Sequence, residues 1–170
     1  MRSGQLAVLS ALALAGCRSC ALHPPAQPIV CDGDLDEPAW KQAIRTGPFV
    51  DASGAPAAPY SDARFVIGSD AVYIGLYAAD ENIESSDTFI VEIGGRELRF
   101  GPRDRGPDVG IDMDGTLDDP SDDDEEWLVE TQLPRSSLPR GDVPVLVRRC
   151  DRIKDGSVRC GSGRATLRLP

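Results

Sequence analysis

From Ile29 onward the chain is a series of short apolar runs, most alternating with polar residues and each stopped by Gly, Pro, Asn or Asp. The runs cover 63–68, 71–78, 88–93, 97–100, 127–133, 143–149 and 165–169. In Val72-Tyr73-Ile74-Gly75-Leu76-Tyr77 the period is two, which puts Val72, Ile74 and Leu76 on one face of a strand and both tyrosines on the other. Short strands at this spacing predict an all-β sandwich. Only 37–44 has helical character, a short N-terminal helical turn with Asp36 as cap and Pro38 in its first turn. No internal repeat is present.

One turn specifies its own register. In Ile153-Lys154-Asp155-Gly156-Ser157, a three-residue loop with Gly156 in the left-handed position makes a type I turn with a bulge. Counting outward from Ile153 opposite Ser157 brings Cys150 opposite Cys160 at a non-hydrogen-bonded site, where Cα atoms lie about 4.5 Å apart and a disulfide closes.

The N-terminus has a different pattern. Arg2 precedes an apolar run from Leu6 to Leu14, the length of a signal-peptide core and far short of the roughly 20 residues that span a bilayer. Residues 1–16 are expected to be a removed signal. The run ends in Leu14-Ala15-Gly16-Cys17, which resembles the lipobox of bacterial lipoproteins, with Cys17 as the lipidated residue and ordinary secretion as the alternative. Several acyl chains on one Cys anchor firmly, since each buried CH2 contributes about 0.8 kcal/mol. Residues 17–28, with Pro24, Pro25 and Pro28, read as the lipidated Cys and a Pro-rich tether to a domain at 29–170. The expected location is extracytoplasmic, anchored to a lipid bilayer through Cys17 alone. Arg18 after the anchor favours the outer membrane by resemblance to diderm lipoproteins.

The chain has 170 residues and a net charge of −10, which becomes −11 once residues 1–16 and Arg2 with them are removed. Such a surface repels phosphate backbones, so no nucleic-acid partner is expected. An apolar fraction of 41% is enough for a packed core and excludes a disordered acidic tail. Export makes disulfides durable, and with Cys17 acylated, Cys20, Cys31, Cys150 and Cys160 allow three connectivities. The hairpin favours Cys150 with Cys160 and leaves Cys20 with Cys31 by elimination.

Several of these segments also resemble a family. Ile29-Val30-Cys31-Asp32-Gly33-Asp34-Leu35-Asp36-Glu37-Pro38-Ala39-Trp40 is similar to the opening of the family 9 carbohydrate-binding module-like (DOMON-like) domains, as is Ile74-Gly75-Leu76-Tyr77 followed by Asp80. Asp87 to Ile93, Trp127 to Leu138 and Val145 to Arg149 stand in the family's order as well. The resemblance implies an antiparallel, jelly-roll-like sandwich and binding to a polysaccharide. Members that hold a sugar between two loop tryptophans have no close counterpart here, because Trp40 and Trp127 occupy framework positions. The expected platform is therefore Tyr77, Trp127 and Tyr60, with Tyr73 sharing the outward face, and the expected binding is weak. Outward tyrosines are also ordinary on strands.

Between Asp112 and Glu126 the chain carries nine carboxylates and no basic residue. Hard oxygen ligands beside Gly115 suit Ca2+, and Asp112, Asp114, Asp118, Asp119, Asp122 and Asp124 are its candidate ligands, although the spacing is not that of an EF-hand. Related sandwich modules often use structural calcium. Two alternatives compete: a solvated loop, or a loop facing the basic stretch 127–170.

No catalytic constellation is legible. The single histidine, His23, lies in the tether, and no nucleophile motif or phosphate loop occurs. Glu92 and Glu130 imitate a glycosidase pair but match framework positions of the family pattern. Met113, the one methionine after the signal, is a poor haem ligand in an acidic loop. The expectation is a non-catalytic, membrane-anchored module. The alternative is a structural or adhesion lipoprotein that keeps the sandwich without the sugar site.

Overall fold

The computed structural model describes residues 28–170, so the signal, Cys17, Cys20 and most of the tether lie outside the described residues. The described residues form nine strands: β1 (Ile44–Arg45), β2 (Ser61–Ile67), β3 (Ala71–Ala79), β4 (Thr88–Ile93), β5 (Arg96–Phe100), β6 (Val109–Asp114), β7 (Glu126–Pro134), β8 (Gly141–Arg152) and β9 (Val158–Leu169). They make two antiparallel sheets, one ordered β1-β2-β3-β7-β6 and the other β5-β4-β8-β9. The all-β sandwich expected from the sequence is what forms.

The seven expected strands all appear. β1 and β6 are additional, and β6 turns the first part of the acidic run into sheet. The helical turn is a 3-10 turn at Pro38–Gln42, and its cap is Glu37 without a side-chain hydrogen bond, not Asp36. Pro38 at the first position fixes the backbone for the turn.

The core lies between the sheets. Val72, Ile74 and Leu76 from β3 are fully buried there with Phe65, Trp127, Val129, Phe89, Val91 and Leu167. β8 sends Val143, Val145 and Val147 inward, then continues the same alternation with Arg149 and Asp151, both buried. One end of the sandwich interior is thus hydrocarbon and the other charged.

The hairpin between β8 and β9 has the expected register. The Ile153 N–H reaches the Ser157 carbonyl at 3.0 Å, Gly156 takes φ 82°, and Cys150 stands opposite Cys160. Those two cysteines form the disulfide, with Cα atoms 4.2 Å apart. Cys31 is unbridged among the described residues.

Residues 29–37 lie as a strap across the outer face of the five-stranded sheet. The strap crosses where the sheet has no side chain: a Cβ on Gly110 would stand 2.3 Å from the Asp32 carbonyl carbon and from the Gly33 nitrogen. At Gly75 it is the side chains of Leu35 and Trp40 that occupy the space a Cβ would take, whereas at Gly110 it is the strap's backbone. Such contact between backbones is possible only with glycine at the crossing.

Candidate functional site

Period two on β2 and β3 places Asp62, Arg64, Tyr73 and Tyr77 on the outer face of the five-stranded sheet, with Asp62 opposite Tyr77 and Arg64 opposite Gly75. Tyr60, just before β2, is 44% exposed, and its ring meets that of Tyr77 edge to face with centroids 5.9 Å apart. The Tyr60 hydroxyl donates to Asp62 Oδ2 at 3.0 Å, Arg64 Nε donates to Asp62 Oδ1 at 3.2 Å, and Arg45 lies 3.6 Å from Asp62 Oδ2. The Arg64 guanidinium stands 6.0 Å from the centre of the Tyr77 ring. A hydrogen bond to Glu126, together with burial, pushes the Tyr77 phenol up to about 12, so it stays neutral and polar. Two rings and a fixed set of donors and acceptors therefore share one patch on a rigid sheet.

Trp127 does not join them. It faces the core on β7 with no exposed surface, packs at 5.0 Å against Phe89, and donates its indole N–H to Asp80 Oδ2 at 3.2 Å. Its place as a sugar platform is corrected: inward alternation on β7 and the partner Asp80 hold the ring inside. Trp40 is buried too, as the framework reading expected. Glu92 and Glu130 lie on different sheets, so they do not face each other as a pair.

The acidic run is not a cage. Asp112 and Asp114 project from the outer face of β6, exposed. Asp124 is buried and accepts from the Ile83 N–H at 2.6 Å and the Thr116 N–H at 2.7 Å. Asp118 accepts from the Ser85 N–H and pairs with Arg103, while Asp119 accepts from Ser121 and Asp122 from the Thr116 hydroxyl. Asp123 pairs with Lys154, one contact of the kind expected of a loop facing the basic stretch. The structure does not gather the six candidate ligands: Asp112 and Asp114 project from a strand, Asp119, Asp122 and Asp124 accept from neutral neighbours, and Asp118 pairs with Arg103.

Another cluster was missed from the sequence. Asp80, Asp87 and Asp151 are all buried, with one carboxylate oxygen of each within 4.8 Å of the others, and they are the only such acidic, His or Cys group among the described residues. They close the charged end of the interior. Arg149 Nη2 donates to Asp80 Oδ2 at 2.7 Å, and Asp87 accepts from the N–H groups of Glu84 and Arg152. Burial pushes Asp87 up to about 7 and Asp151 up to about 6. The available signal was the stripe Val143, Val145, Val147, Arg149, Asp151, which commits two charges to the inside.

Glu130 explains the strap. It has no exposed surface, and its carboxyl accepts from the Asp32 N–H at 3.1 Å, the Gly33 N–H at 3.3 Å and the Trp40 indole at 2.9 Å. Desolvation by burial and the neighbouring Glu37 carboxylate push it up to about 8, against those donors. Desolvation, then Glu130 first among nearby carboxylates, raises the Cys31 thiol to about 12, which leaves it unreactive as a nucleophile.

No family model and no curated protein matches the chain. Among solved structures, a family 9 carbohydrate-binding module from Caldicellulosiruptor kristjanssonii in complex with cellotriose matches with a TM-score of 0.57 and 11% identity, over 82% of this chain and 80% of that one. A family 9 module from the same organism in complex with glucose matches with a TM-score of 0.56 and 12% identity, over 86% and 93%. The likeness establishes a fold of the family 9 module type.

Proposed function

We propose that the protein is a non-catalytic carbohydrate-binding module held to a membrane by an acylated Cys17, and that it binds a polysaccharide weakly at Tyr60 and Tyr77. The observation that carries this reading is the tyrosine pair with Asp62, Arg64 and Arg45 fixed around it. Apolar sugar faces stack on rings, and sugar hydroxyls need fixed donors and acceptors beside them. A larger concavity of about 760 Å³ lies on the outer face of the four-stranded sheet, among Glu92, Arg96, Glu97, Leu146 and Arg164, but no aromatic ring lines it. The fold likeness to modules solved with cellotriose and glucose supports the same class of ligand.

A glycan array with the purified protein tests the reading. Millimolar to high-micromolar binding to a polysaccharide is expected, lowered about 2- to 12-fold by Tyr77→Ala, since such a ring contact contributes about 0.5–1.5 kcal/mol. Trp127→Phe should leave the affinity unchanged. Binding that survives both Tyr60→Ala and Tyr77→Ala would move the site elsewhere on the fold.

The burial of both tryptophans favours a second reading, a structural or adhesion lipoprotein without a sugar site. A silent array from a folded sample decides for it.

A further inference from the structure

We propose that two adjoining concavities, one on the outer face of the four-stranded sheet and one at the β7–β8 connection, bind an anionic polysaccharide whose carboxylates are held by Arg96, Arg135, Arg140 and Arg164. This names a second kind of ligand at residues apart from the tyrosine pair, and it stands whether or not that pair binds a neutral sugar.

The arginines carry the argument. Acidic residues outnumber basic ones 28 to 18 in the chain, and most of the described cations lie within 4 Å of a carboxylate. Among the described residues Arg96, Arg135, Arg140 and Arg164 have no such partner, and all four line the two concavities. The other unmatched cations, Lys41, Arg105 and Arg159, line neither. The acids in the lining are largely matched already: Arg148 lies against both Glu92 and Glu97, and Arg99 pairs with Glu97. Asp70, which accepts from the Ser69 hydroxyl, is the one carboxylate there without a cation. A very acidic protein thus keeps a surplus of positive charge in one place.

Shape and chemistry narrow the ligand. The concavities hold about 760 Å³ and about 470 Å³, and Pro139 lines both. Together they exceed an ordinary small-molecule pocket of about 300–1,000 Å³, which suits several linked sugar rings. A lipid surface is flat and would rest on the rim. No aromatic ring lines either concavity, so charge is what the site offers, and the planar guanidinium fork matches a carboxylate with two parallel hydrogen bonds. The acidic run does not cancel this attraction. It begins on β6, at an edge of the other sheet, and sheets pack about 10 Å apart while physiological salt screens exposed charge within about 8 Å.

Biolayer interferometry of the full-length protein on immobilised polygalacturonate tests the site, with fully methyl-esterified polygalacturonate as the same polymer without its charges. Binding is expected to the first and not to the second, and it should weaken as NaCl rises from about 50 to about 200 mM. Arg140→Ala with Arg164→Ala, both exposed, should weaken it about 5-fold at an unchanged melting temperature, since each exposed ion pair contributes modestly. Lys41→Ala with Arg159→Ala removes as much charge elsewhere and should leave it intact. Four results overturn the proposal: no binding to polygalacturonate, equal binding to its methyl ester, equal weakening by the two double substitutions, or binding that survives the Arg140 and Arg164 substitutions and falls with Tyr77→Ala. The last would place the acidic polymer at the tyrosine pair and support that reading instead. Capture by dextran sulfate or by phosphatidylglycerol vesicles, with polygalacturonate silent, would equally refute it and make the arginines a sulfate-binding or membrane-facing surface.

Discussion

Trp40 donates its indole N–H to Oε1 of Glu130 at 2.9 Å, joining residues 90 positions apart. The other carboxyl oxygen of Glu130 accepts from the Asp32 and Gly33 N–H groups, so one side chain holds both the middle of the strap and the 3-10 turn that follows it against the sheet. Trp40, Glu130 and the Asp-Gly step are one device. Each is a family-like motif residue in the sequence, and the fold shows that they serve each other.

That device should give the protein an unusual pH response. Glu130 rises from an ordinary value of 4.5 to about 8 in the folded state, so the folded chain holds this proton more tightly than the unfolded chain. Its contribution to stability is full below about 4.5, declines as pH rises, and is gone above about 8. Urea midpoints should therefore fall between pH 5 and pH 8, and Glu130→Gln should flatten the fall. Equal slopes in the two proteins would show that Glu130 does not titrate in this window.

Gly110 sets how closely the strap lies. Gly110→Ala puts a methyl group 2.3 Å from strap backbone, a clash with no flexible side chain to absorb it. A loss of roughly 1–3 kcal/mol is expected from such overpacking. The strap should lift as well, so in a Cys20→Ser background maleimide should label Cys31 faster than in the parent. Unchanged labelling with unchanged stability would mean that the sheet bends and the strap does not depend on the glycine.

The proposed membrane anchoring rests on Cys17. Labelling with a palmitate analogue should mark the wild type and leave Cys17→Ala unmarked. Label retained in that variant would refute the lipoprotein reading.

Legibility followed the distance over which each feature is decided. The β8–β9 register, and with it the disulfide, was written in the five residues from Ile153 to Ser157, because turn chemistry is local. The inward set Val72, Ile74 and Leu76 was equally local, a matter of period two. β6 was hidden because Asp112 and Asp114, its outward residues, made a strand resemble the start of an acidic loop. Trp127 stood at a framework position of the family pattern and was also expected as a platform, and its direction was decided only by Asp80 and Phe89 packed against it. The buried acidic cluster was the least legible feature. Asp80 and Asp87 flank one connection while Asp151 belongs to a strand of the opposite half of the chain, and they meet only when the sheets close.

The order of the strands bears on how copies of this molecule behave side by side. β1, β6, β5 and β9 are the outer strands of the two sheets, and an outer strand has free backbone groups that a neighbouring copy can pair with. β1 is only two residues long. The others carry exposed charge along their length: Asp112 and Asp114 on β6, Arg96, Glu97 and Arg99 on β5, and Arg159, Arg164 and Arg168 on β9. Pairing like edges would bring charges of one sign together on β6 and on β9. Held to a surface as proposed, such a domain would have little room to dilute itself, and these borders would let it crowd without stitching into fibres.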